Sequence, residues 1–380
     1  MKFLLIYVPN LRFSYKGDWS KRKLNEICLF FKGNGLSKSD LSNEGFPCIL
    51  YGELYTTYKN EVISDIISKT NTTLSNPFLS RNNDLIIPGS GEDPIDIAVA
   101  RAIYQNDIIL GGDLNILRPK SNVSAAFLSY QLNGVRRYDI AKKAQGKSIV
   151  HLHNSDLKEV LVSIPSYDEQ LHIVKLLTKI DERIQTQSKI IDTLSSQKKQ
   201  IRNLIFKDIH KNANCCIQDY VIYEQPQKYI VHSTDYLSYG KDYTPVLTAN
   251  QSFILGYTLE KDGIYEKGDC IIFDDFTNEN KYVDFPFKVK SSALKILQTK
   301  EGLMLKFFYE YLQFLNFEST DHKRHYLSEV AVTDISVPNL KEQTFVCKIF
   351  TSFDNKLKNE EALLEKYRLQ KQFFLNNLFI

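Results

Sequence analysis

The sequence lacks the features that would place a protein of this length in a membrane or build it around disulfides. The apolar run at residues 3–8 ends at Pro9, and no later run reaches the roughly 18 apolar residues that a membrane helix needs. The cysteines show no paired spacing typical of zinc sites or disulfide frameworks. The adjacent pair Cys215-Cys216 instead predicts the start of a strand. We therefore expect a cytoplasmic protein without a membrane partner.

The sequence also has little net charge. Lysine and arginine total 48 against 45 for aspartate and glutamate, which gives +3 at neutral pH. This balance does not by itself predict nucleic-acid binding, although a locally basic surface remains compatible with it. A chain of 380 residues is long enough for two or three domains with hydrophobic cores.

Catalytic motifs are missing as well. The sequence contains no Walker A, HExxH or GxSxG pattern. Residues 33–35 and 89–91 are isolated Gly-x-Gly turns, and neither opens a dinucleotide-binding fingerprint. The motif search therefore yields no candidate catalytic residue and no cofactor-binding motif.

Two groups of polar residues could suggest metal or acid chemistry, but a structural role is the better interpretation. The pairs His151/His153 and His322/His325 have no acidic or cysteine partner at useful spacing, so no metal site is predicted. Asp274-Asp275 follows a strand-like run, and we expect it to hydrogen-bond the backbone of a turn.

What the sequence does contain is a segment of about forty residues that occurs twice, 173 positions apart. It runs from residue 164 to 206 and again from 337 to 379. Both copies begin with a β-branched residue and proline, then carry Glu-Gln, an apolar-Asp pair and Gln-Lys at matching positions. Internal repeats of this kind indicate architecture, and here they predict two modules that each end in the same long helix.

Each copy has apolar residues at two positions of a seven-residue repeat. The first copy has these series: Ile173, Ile180, Gln187, Leu194, Ile201 and Leu177, Ile184, Ile191, Lys198, Ile205. The second copy has the matching series: Val346, Phe353, Glu360, Tyr367, Phe374 and Phe350, Leu357, Leu364, Lys371, Leu378. Such a narrow stripe over several heptads is typical of a coiled coil. The alternative is two helices buried in separate globular cores, which usually show a wider apolar face.

The polar positions of the heptads suggest a register for an antiparallel pair. Lys198 would lie against Glu360, and Gln187 against Lys371. Polar groups in a coiled-coil seam reduce stability but fix register and orientation.

The remaining blocks, residues 1–163 and 211–336, are rich in Tyr, Phe, Ile and Val and are punctuated by Gly, Asn, Asp and Pro. They predict strands near 46–51, 84–87, 243–247, 269–273 and 293–297, with short helices near 122–133 and 303–314. The fold class is therefore α+β: two mainly-β domains at 1–163 and 211–336, separated by helices at 164–210 and 337–380. The two helices are expected to pack as an antiparallel coiled coil with a pseudo-two-fold internal repeat.

Basic clusters occupy parallel positions in the two blocks. Five cations lie within residues 136–147, and lysines alternate with aromatic residues over 281–290. Residues 322–326 (His-Lys-Arg-His-Tyr) precede the second helix as residues 136–151 precede the first. Lysine and arginine at such places could hold phosphates, while Asn, Gln, Ser and Arg could contact base edges. Taken alone, each cluster is more often a solvated surface, but their parallel placement in both blocks favours nucleic-acid binding.

The repeated Pro-x-x-x-Glu-Gln opening followed by a heptad helix resembles the conserved regions of type I restriction-modification specificity subunits. Residues 11–13, Trp19 and residues 23–27 resemble that family's usual start. Residues 33–38 with 51–55 resemble one class of first target-recognition domain, and residues 248–253 with 273–277 resemble a class of the second. One departure is Ser166-Tyr167, where the family often has Pro-Leu.

The resemblance implies a non-catalytic subunit that chooses the DNA sequence, with one domain for each half of a split, asymmetric double-stranded target. Two methyltransferase (modification) subunits would dock on the helices, and a restriction subunit with motor and nuclease activity is a further partner. S-adenosylmethionine, ATP and Mg would be used by those partners, and this chain would bind no cofactor. The alternatives are a stand-alone sequence-specific DNA-binding defence protein and a coiled-coil scaffold.

We predict DNA contacts in both domains. Those of the first domain are Lys32, Asn34, Lys38, Tyr51, Ser90, Arg136, Arg137, Lys142, Lys143 and Lys147. Those of the second domain are Asn250, Gln251, Thr277, Lys281, Lys288, Lys290, Ser291, Lys323 and Arg324.

Overall fold

The computed structural model describes residues 9–240, 242–249, 252–317 and 324–380. The chain divides into two compact units. The first unit contains the described residues up to Ser188 together with Ala362–Ile380, and the second contains Lys189–Glu361. Each unit therefore holds one globular block and one half of each long helix.

The helices include the two long segments expected from the repeat. The α-helices are α1 (Leu24–Ile27), α2 (Glu53–Thr56), α3 (Pro94–Ile97), α4 (Ala125–Asn133), α5 (Arg137–Ala141), α6 (Asn154–Lys158), α7 (Tyr167–His210), α8 (Ile217–Tyr220), α9 (Leu305–Leu315) and α10 (Leu340–Asn377). The two long segments are α7 and α10. Short 3-10 turns lie at Lys38–Asp40 and Pro226–Tyr229, and a π-helical turn lies at Tyr326–Val330. The predicted helices near 122–133 and 303–314 correspond to α4 and α9.

The strands of the first unit form two main sheets. They are β1 (Ser20–Lys23), β2 (Cys28–Lys32), β3 (Leu41–Ser42), β4 (Phe46–Ile49), β5 (Val62–Ile63), β6 (Ser68–Thr70), β7 (Asp84–Pro88), β8 (Ser90–Gly91), β9 (Arg101–Ile103), β10 (Ile109–Leu110), β11 (Leu114–Pro119), β12 (Val150–His151) and β13 (Leu161–Ile164). The larger sheet has the order β2-β11-β7-β9-β5, and the smaller has the order β10-β4-β6-β3.

The strand β7 shows why this block folds as it does. Its side chains alternate between the two faces of the sheet, as strand geometry requires. Leu85 and Ile87 pack into a core that includes Leu128 of α4. Ile86 packs into a second core with Ile49 of the smaller sheet. A strand segment buried on both faces is apolar, which is why residues 85–87 predict a strand from the sequence.

The second unit repeats this plan. Its strands are β14 (Cys215–Cys216), β15 (Val221–Glu224), β16 (Thr244–Leu247), β17 (Ile254–Thr258), β18 (Cys270–Asp274), β19 (Asn280–Val283), β20 (Lys288–Val289), β21 (Leu294–Thr299) and β22 (Asp334–Ile335). The order β15-β21-β18-β19 reproduces β2-β11-β7-β9, and all of these neighbours are antiparallel in both units. The parallel pair β16/β20 reproduces β4/β10.

The core of the second unit is divided in the same way. Phe273 of β18 packs into the core that includes Phe307 of α9, whereas the intervening Ile272 packs into a core with Leu247 of the smaller sheet. The prediction of an α+β fold with an internal repeat is therefore confirmed. The strands predicted near 46–51, 84–87, 243–247, 269–273 and 293–297 correspond to β4, β7, β16, β18 and β21, and Cys215-Cys216 begins β14 as predicted.

The predicted heptad positions lie on the inner faces of α7 and α10. Every one of the twenty residues in the four series is buried or half-buried. In the first unit Ile173 and Leu177 of α7 share a core with Leu378 of α10, and Asp181 contacts Lys371. Among these contacting pairs, the residue number rises along α7 while it falls along α10, so the two helix halves in this unit run antiparallel.

The same arrangement occurs in the second unit. Lys198 contacts Asp354, and the ring of Phe206 lies 6.1 Å from that of Phe350. The helix halves in this unit therefore also run antiparallel, and the predicted coiled-coil packing is confirmed within each unit.

The glutamine of the Glu-Gln pair has a structural role in each copy of the repeat. The Gln170 carboxamide accepts a hydrogen bond from the Ser124 backbone N–H and donates to the carbonyls of Asn122 and Pro165. The Gln343 carboxamide accepts from the Met304 N–H and donates to the carbonyls of Gly302 and Pro338. Each glutamine thus joins the start of a long helix to the start of the short helix that covers the sheet.

The register predicted from the polar heptad positions is wrong. Lys371 lies 2.7 Å from Asp181, and Lys198 lies 2.6 Å from Asp354, so each lysine meets a residue six positions from the predicted Gln187 or Glu360. The two contacts are equivalent, because Asp181 and Asp354 are 173 positions apart, as are the two lysines. The aspartate of each apolar-Asp pair and the lysine of each Gln-Lys pair therefore set the register.

The two equivalent aspartates have different electrostatic surroundings. Burial and the neighbouring Glu61 raise the pKa of Asp181, although Lys371 opposes them. Burial also disfavours ionisation of Asp354, but hydrogen bonds from Lys198 and Lys306 outweigh it and lower the pKa of Asp354. Asp181 thus shares a single lysine, Lys371, with Glu61. Asp354 instead contacts two lysines, Lys198 and Lys306.

We expect the substitutions Asp181→Asn and Asp354→Asn to change the pH dependence of stability in opposite directions. The lowered pKa of Asp354 contributes stability that is present above the ordinary aspartate value of about 3.9 and is lost as the pH falls through the lowered pKa. The raised pKa of Asp181 contributes stability that is present below about 3.9 and is lost as the pH rises through the raised value. At pH 7 the Asp354→Asn protein should therefore lose more stability than the Asp181→Asn protein.

Urea unfolding of the full chain between pH 7 and pH 3 measures this difference. Asp354→Asn should flatten the acid limb of the stability curve, and Asp181→Asn should flatten the part above about pH 3.9. An equal loss for both variants at pH 7, with unchanged curve shapes, would contradict the assignment.

Candidate nucleic-acid interface

A turn of the second unit brings several predicted contact residues together. Strand β18 ends at Asp274, and the chain reverses over residues 274–279 into β19. The carboxylate of Asp274 accepts hydrogen bonds from the backbone N–H groups of Phe276 and Thr277, at 2.9 and 3.1 Å. The predicted role of this aspartate in a turn is confirmed, and these two hydrogen bonds lie within the hairpin.

Asp275 fixes this turn to two other segments. Its backbone N–H donates to the carbonyl of Ala293, and its carbonyl accepts from the N–H of His325 at 2.9 Å. One carboxylate oxygen accepts from the N–H of Tyr326 at 2.9 Å, and the other lies 3.1 Å from the Nζ of Lys295. The Asp275 and Lys295 side chains are each 4% exposed, so this is a buried ion pair that holds the corner rigid. We call residues 274–279, 290–293 and 324–326 the second corner.

The surface of the second corner carries polar and basic groups. Thr277, Lys290 and Arg324 are exposed, and the Arg324 guanidinium lies over the ring of Phe276 at 5.8 Å. One acidic side chain, Glu279, is also exposed there. Guanidinium and ammonium groups can hold phosphates, while arginine and threonine can also contact base edges.

The first unit builds an equivalent corner. The Gly89 N–H donates to the carbonyl of Asp113, and the Gly89 carbonyl accepts from the N–H of Leu152 at 2.9 Å. These bonds match those of Asp275 with Ala293 and His325. We call residues 88–93 and 150–153, with Asp113, the first corner. A glycine is needed at 89 because a Cβ there would lie 2.8 Å from the Asp113 carbonyl oxygen.

The matching hydrogen bonds place His151 of the first corner where Arg324 lies in the second. His151 and His153 are exposed, and their rings stack at 6.1 Å. In the sequence these histidines resemble a metal pair, and they are not among the predicted DNA contacts. The exposed Glu92 and Asp93 follow on the same loop, so the first corner is more acidic than the second.

Several predicted contacts of the first unit have structural partners. The Asn34 carboxamide donates to the carbonyl of Asn76 and accepts from the N–H of Phe78. Ser90 is buried, and its hydroxyl donates to Asp113 at 3.1 Å. At these two positions the groups that would recognise DNA therefore already have partners within the chain.

The arginines of the first basic cluster are also engaged. Arg136 donates to the carbonyl of Ile380, and Arg137 donates to the carbonyl of Ile95. Both side chains therefore position neighbouring segments, and their availability to DNA is reduced. The other predicted contacts of this unit are exposed at Lys32, Lys38, Lys142 and Lys147 and half-buried at Tyr51 and Lys143.

In the second unit the prediction for Lys288 is wrong. Its side chain is 1% exposed, and its Nζ lies 3.0 Å from Glu260 and donates to the carbonyl of Asp262. A buried, paired lysine cannot reach a phosphate. Lys281 and Ser291 are half-buried, and Asn250, Gln251 and Lys323 lie outside the described residues.

One group of potential metal ligands occurs among the described residues. One ligand atom each of His232, Glu260 and Asp262 lie within 4.8 Å of one another. The ammonium group of Lys288 already neutralises Glu260 at this place. His232 and Asp262 are largely exposed and contact each other at 3.2 Å. This arrangement is that of a surface ion-pair cluster, and we assign no metal to it.

Within the described part of the chain, no helix combines the length and the apolar character needed to cross a membrane.

The known proteins that this chain resembles are specificity subunits of type I restriction-modification systems. Residues 16–196 match the family model of the type I restriction modification DNA specificity domain. The chain is 39% identical over 170 residues to the type I restriction enzyme EcoR124I/EcoR124II specificity subunit of Escherichia coli, an alignment that covers 41% of each protein. It is 24% identical over 205 residues to the putative type I restriction enzyme MjaX specificity subunit of Methanocaldococcus jannaschii. That alignment covers 50% of this chain and 45% of the relative, so the matched part is less than half of either relative.

A solved structure shares the fold over almost the whole chain. The S subunit of the type I restriction-modification system from M. genitalium covers 98% of this chain and 99% of its own, with a TM-score of 0.65 and 18% identity. At that identity the likeness concerns the fold alone. Residues 16–196 of this chain therefore belong to the family of type I restriction modification DNA specificity domains, and the chain as a whole shares its fold with an S subunit of a type I restriction-modification system.

Proposed function

We propose that this chain selects the DNA sequence for a type I restriction-modification complex and that each unit reads one half of a divided target. The observation that carries this proposal is the repetition of one module. The two units share the order of four strands in the larger sheet, one parallel strand pair and matching hydrogen bonds at the corner. Because the exposed side chains of the two corners differ, the two half-sites should differ in sequence.

The chemistry of the exposed residues supports a division of labour. Exposed lysines such as Lys38, Lys147 and Lys290 are suited to phosphates, which position a protein on DNA without reading sequence. Thr277 and Arg324 of the second corner, and His151 of the first, are suited to base edges. Phosphate contacts of this kind make binding weaker as salt rises.

The chain would not itself catalyse a reaction. Two methyltransferase subunits would dock on the helices and transfer a methyl group from S-adenosylmethionine to an adenine, which must leave the stack to be reached. A motor-nuclease subunit would use ATP and Mg. These cofactors would belong to the partners, and the role of this chain would be to hold the partners at a chosen sequence.

Methylation mapping tests the proposed function. A host without other adenine methylation should carry this chain together with modification subunits of a type I system that accept it. We expect methylated adenines in one asymmetric motif of two defined parts separated by a fixed unspecified gap. The modification subunits without this chain are the control and should leave that motif unmethylated. An undivided motif, or methylation by this chain alone, would contradict the proposal.

A further inference from the structure

The side chain of Asn278 in the second corner is buried without a hydrogen bond. The residue is 4% exposed, and neither its Nδ2 nor its Oδ1 has a partner. Nearly all buried polar groups in folded proteins are paired, and an unpaired amide opposes folding. Among the described residues, Asn278 is the one amide side chain with both atoms in this state.

The turn itself does not need this carboxamide. The Asn278 backbone N–H donates to the carbonyl of Asp274, and its carbonyl accepts from the side chain of Asn280. Its φ of 60° lies in the left-handed region, which glycine and aspartate also adopt. Backbone conformation therefore explains a residue of this class at 278, but it does not explain an unpaired amide.

The position of Asn278 relates it to the exposed surface of the corner. Its neighbours Thr277 and Glu279 are exposed, and Arg324 lies on the adjacent Phe276. Rotation of the Asn278 side chain out of the turn would break no side-chain hydrogen bond. The amide can therefore move to a ligand at this surface at little cost in existing contacts.

The chemistry of the amide selects one base. A carboxamide offers one donor and one acceptor, and in the major groove only adenine presents both a donor (N6) and an acceptor (N7) on a single base. Guanine presents two acceptors, cytosine a donor, and thymine an acceptor with a methyl group.

We propose that Asn278 is a specificity-determining residue of the second unit and that its carboxamide recognises an adenine in the half-site read by that unit. The proposal rests on the proposed function, because it names a contact of the same interface. In the free chain the amide is held in the turn without partners, and contact with DNA supplies both of its hydrogen bonds.

The test uses Asn278→Asp and Asn278→Gly in the full chain, assembled with modification subunits. Both variants keep a residue that tolerates the left-handed backbone, and both remove the amide donor. Asn316 is the matched control, because it is an exposed left-handed residue of the same unit, and Asn316→Asp should change nothing. Methylation rates are measured on duplexes that carry the wild-type motif and on duplexes in which each position of the second half-site is changed.

We expect both Asn278 variants to lose about tenfold or more of the preference for adenine at one position of the second half-site. The first half-site should be unchanged, and the thermal midpoint should not fall in the Asn278→Asp variant. Unchanged base preferences at every position would overturn the inference, as would a uniform loss of activity that follows a loss of thermal stability. A wild-type complex that methylates no divided motif would instead overturn the proposed function, and the inference with it.

Discussion

Replacing Lys371 with methionine should lower the free energy of unfolding by about 3–5 kcal/mol, which is the loss measured when one partner of a buried ion pair is removed. The Nζ of Lys371 lies 2.6 Å from Glu61 and 2.7 Å from Asp181. These carboxylates are only 7% and 5% exposed, so without the lysine two like charges would remain buried together. One of them would have to take up a proton or reach water, and either event weakens the folded state.

The equivalent substitution in the other unit should have a smaller effect. Lys198 pairs with Asp354 and Glu310, but Glu310 also accepts two hydrogen bonds from Arg202, at 3.0 and 2.8 Å, and Lys306 pairs with both acids. Loss of Lys198 therefore leaves each acid with a cation. We expect Lys198→Met to cost about 1.5–3 kcal/mol, the value of a hydrogen bond to a charged group.

Denaturant unfolding of the full chain compares the two substitutions, with exposed Lys366→Met on α10 as the control for removal of a helix lysine. The control should change stability by no more than about 0.5 kcal/mol. If Lys198→Met lowered the free energy of unfolding as much as Lys371→Met or more, the explanation would be wrong. The balance of acids and cations at each site would then not determine the cost of losing the lysine.

Exchanging the second globular block for that of another family member should replace one half of the methylated motif completely and leave the other half unchanged. We expect this because the two units have separate hydrophobic cores and separate corners. If each corner reads its own bases, the new half-site follows the new block. The half read by the first unit is then preserved base for base.

The structure defines where the exchange should be made. The block lies between the end of α7 at His210 and the start of α10 at Leu340, so both long helices can be retained. The incoming block must preserve the backbone groups equivalent to Gly302 and Met304, because Gln343 of α10 hydrogen-bonds to both. Joining the chains within 211–214 and 336–339 satisfies these conditions.

Methylation mapping of the exchanged chain, beside the parent chain in the same host, gives the readout. The matched control replaces the block with its own sequence through the same two junctions, and it should reproduce the parent motif. A change in both half-sites of the exchanged chain would show that the units read DNA jointly, contrary to the proposed function.

The repeated architecture could be predicted from the sequence alone. The heptad positions identified the inner faces of α7 and α10 because burial in a helix pair follows a period that is visible in one dimension. The strands β7 and β18 were predictable because burial on both faces of a sheet makes a strand segment apolar. The turn at Asp274-Asp275 was predictable because aspartate after a strand accepts bonds from nearby N–H groups.

Only the tertiary structure decided which distant side chains meet. Heptad periodicity identifies a helix face but is compatible with several registers, and the choice here depends on where Asp181 and Asp354 find a lysine. The lysine at 288 looks like its exposed neighbours in sequence, yet it is buried because β20 pairs with β16 inside the domain and brings it to Glu260. The unpaired amide of Asn278 is likewise invisible in sequence, since it is defined by which groups fold over the turn. Periodic patterns thus determined the elements of this protein, whereas its ion pairs and its corners required contacts between residues far apart in the chain.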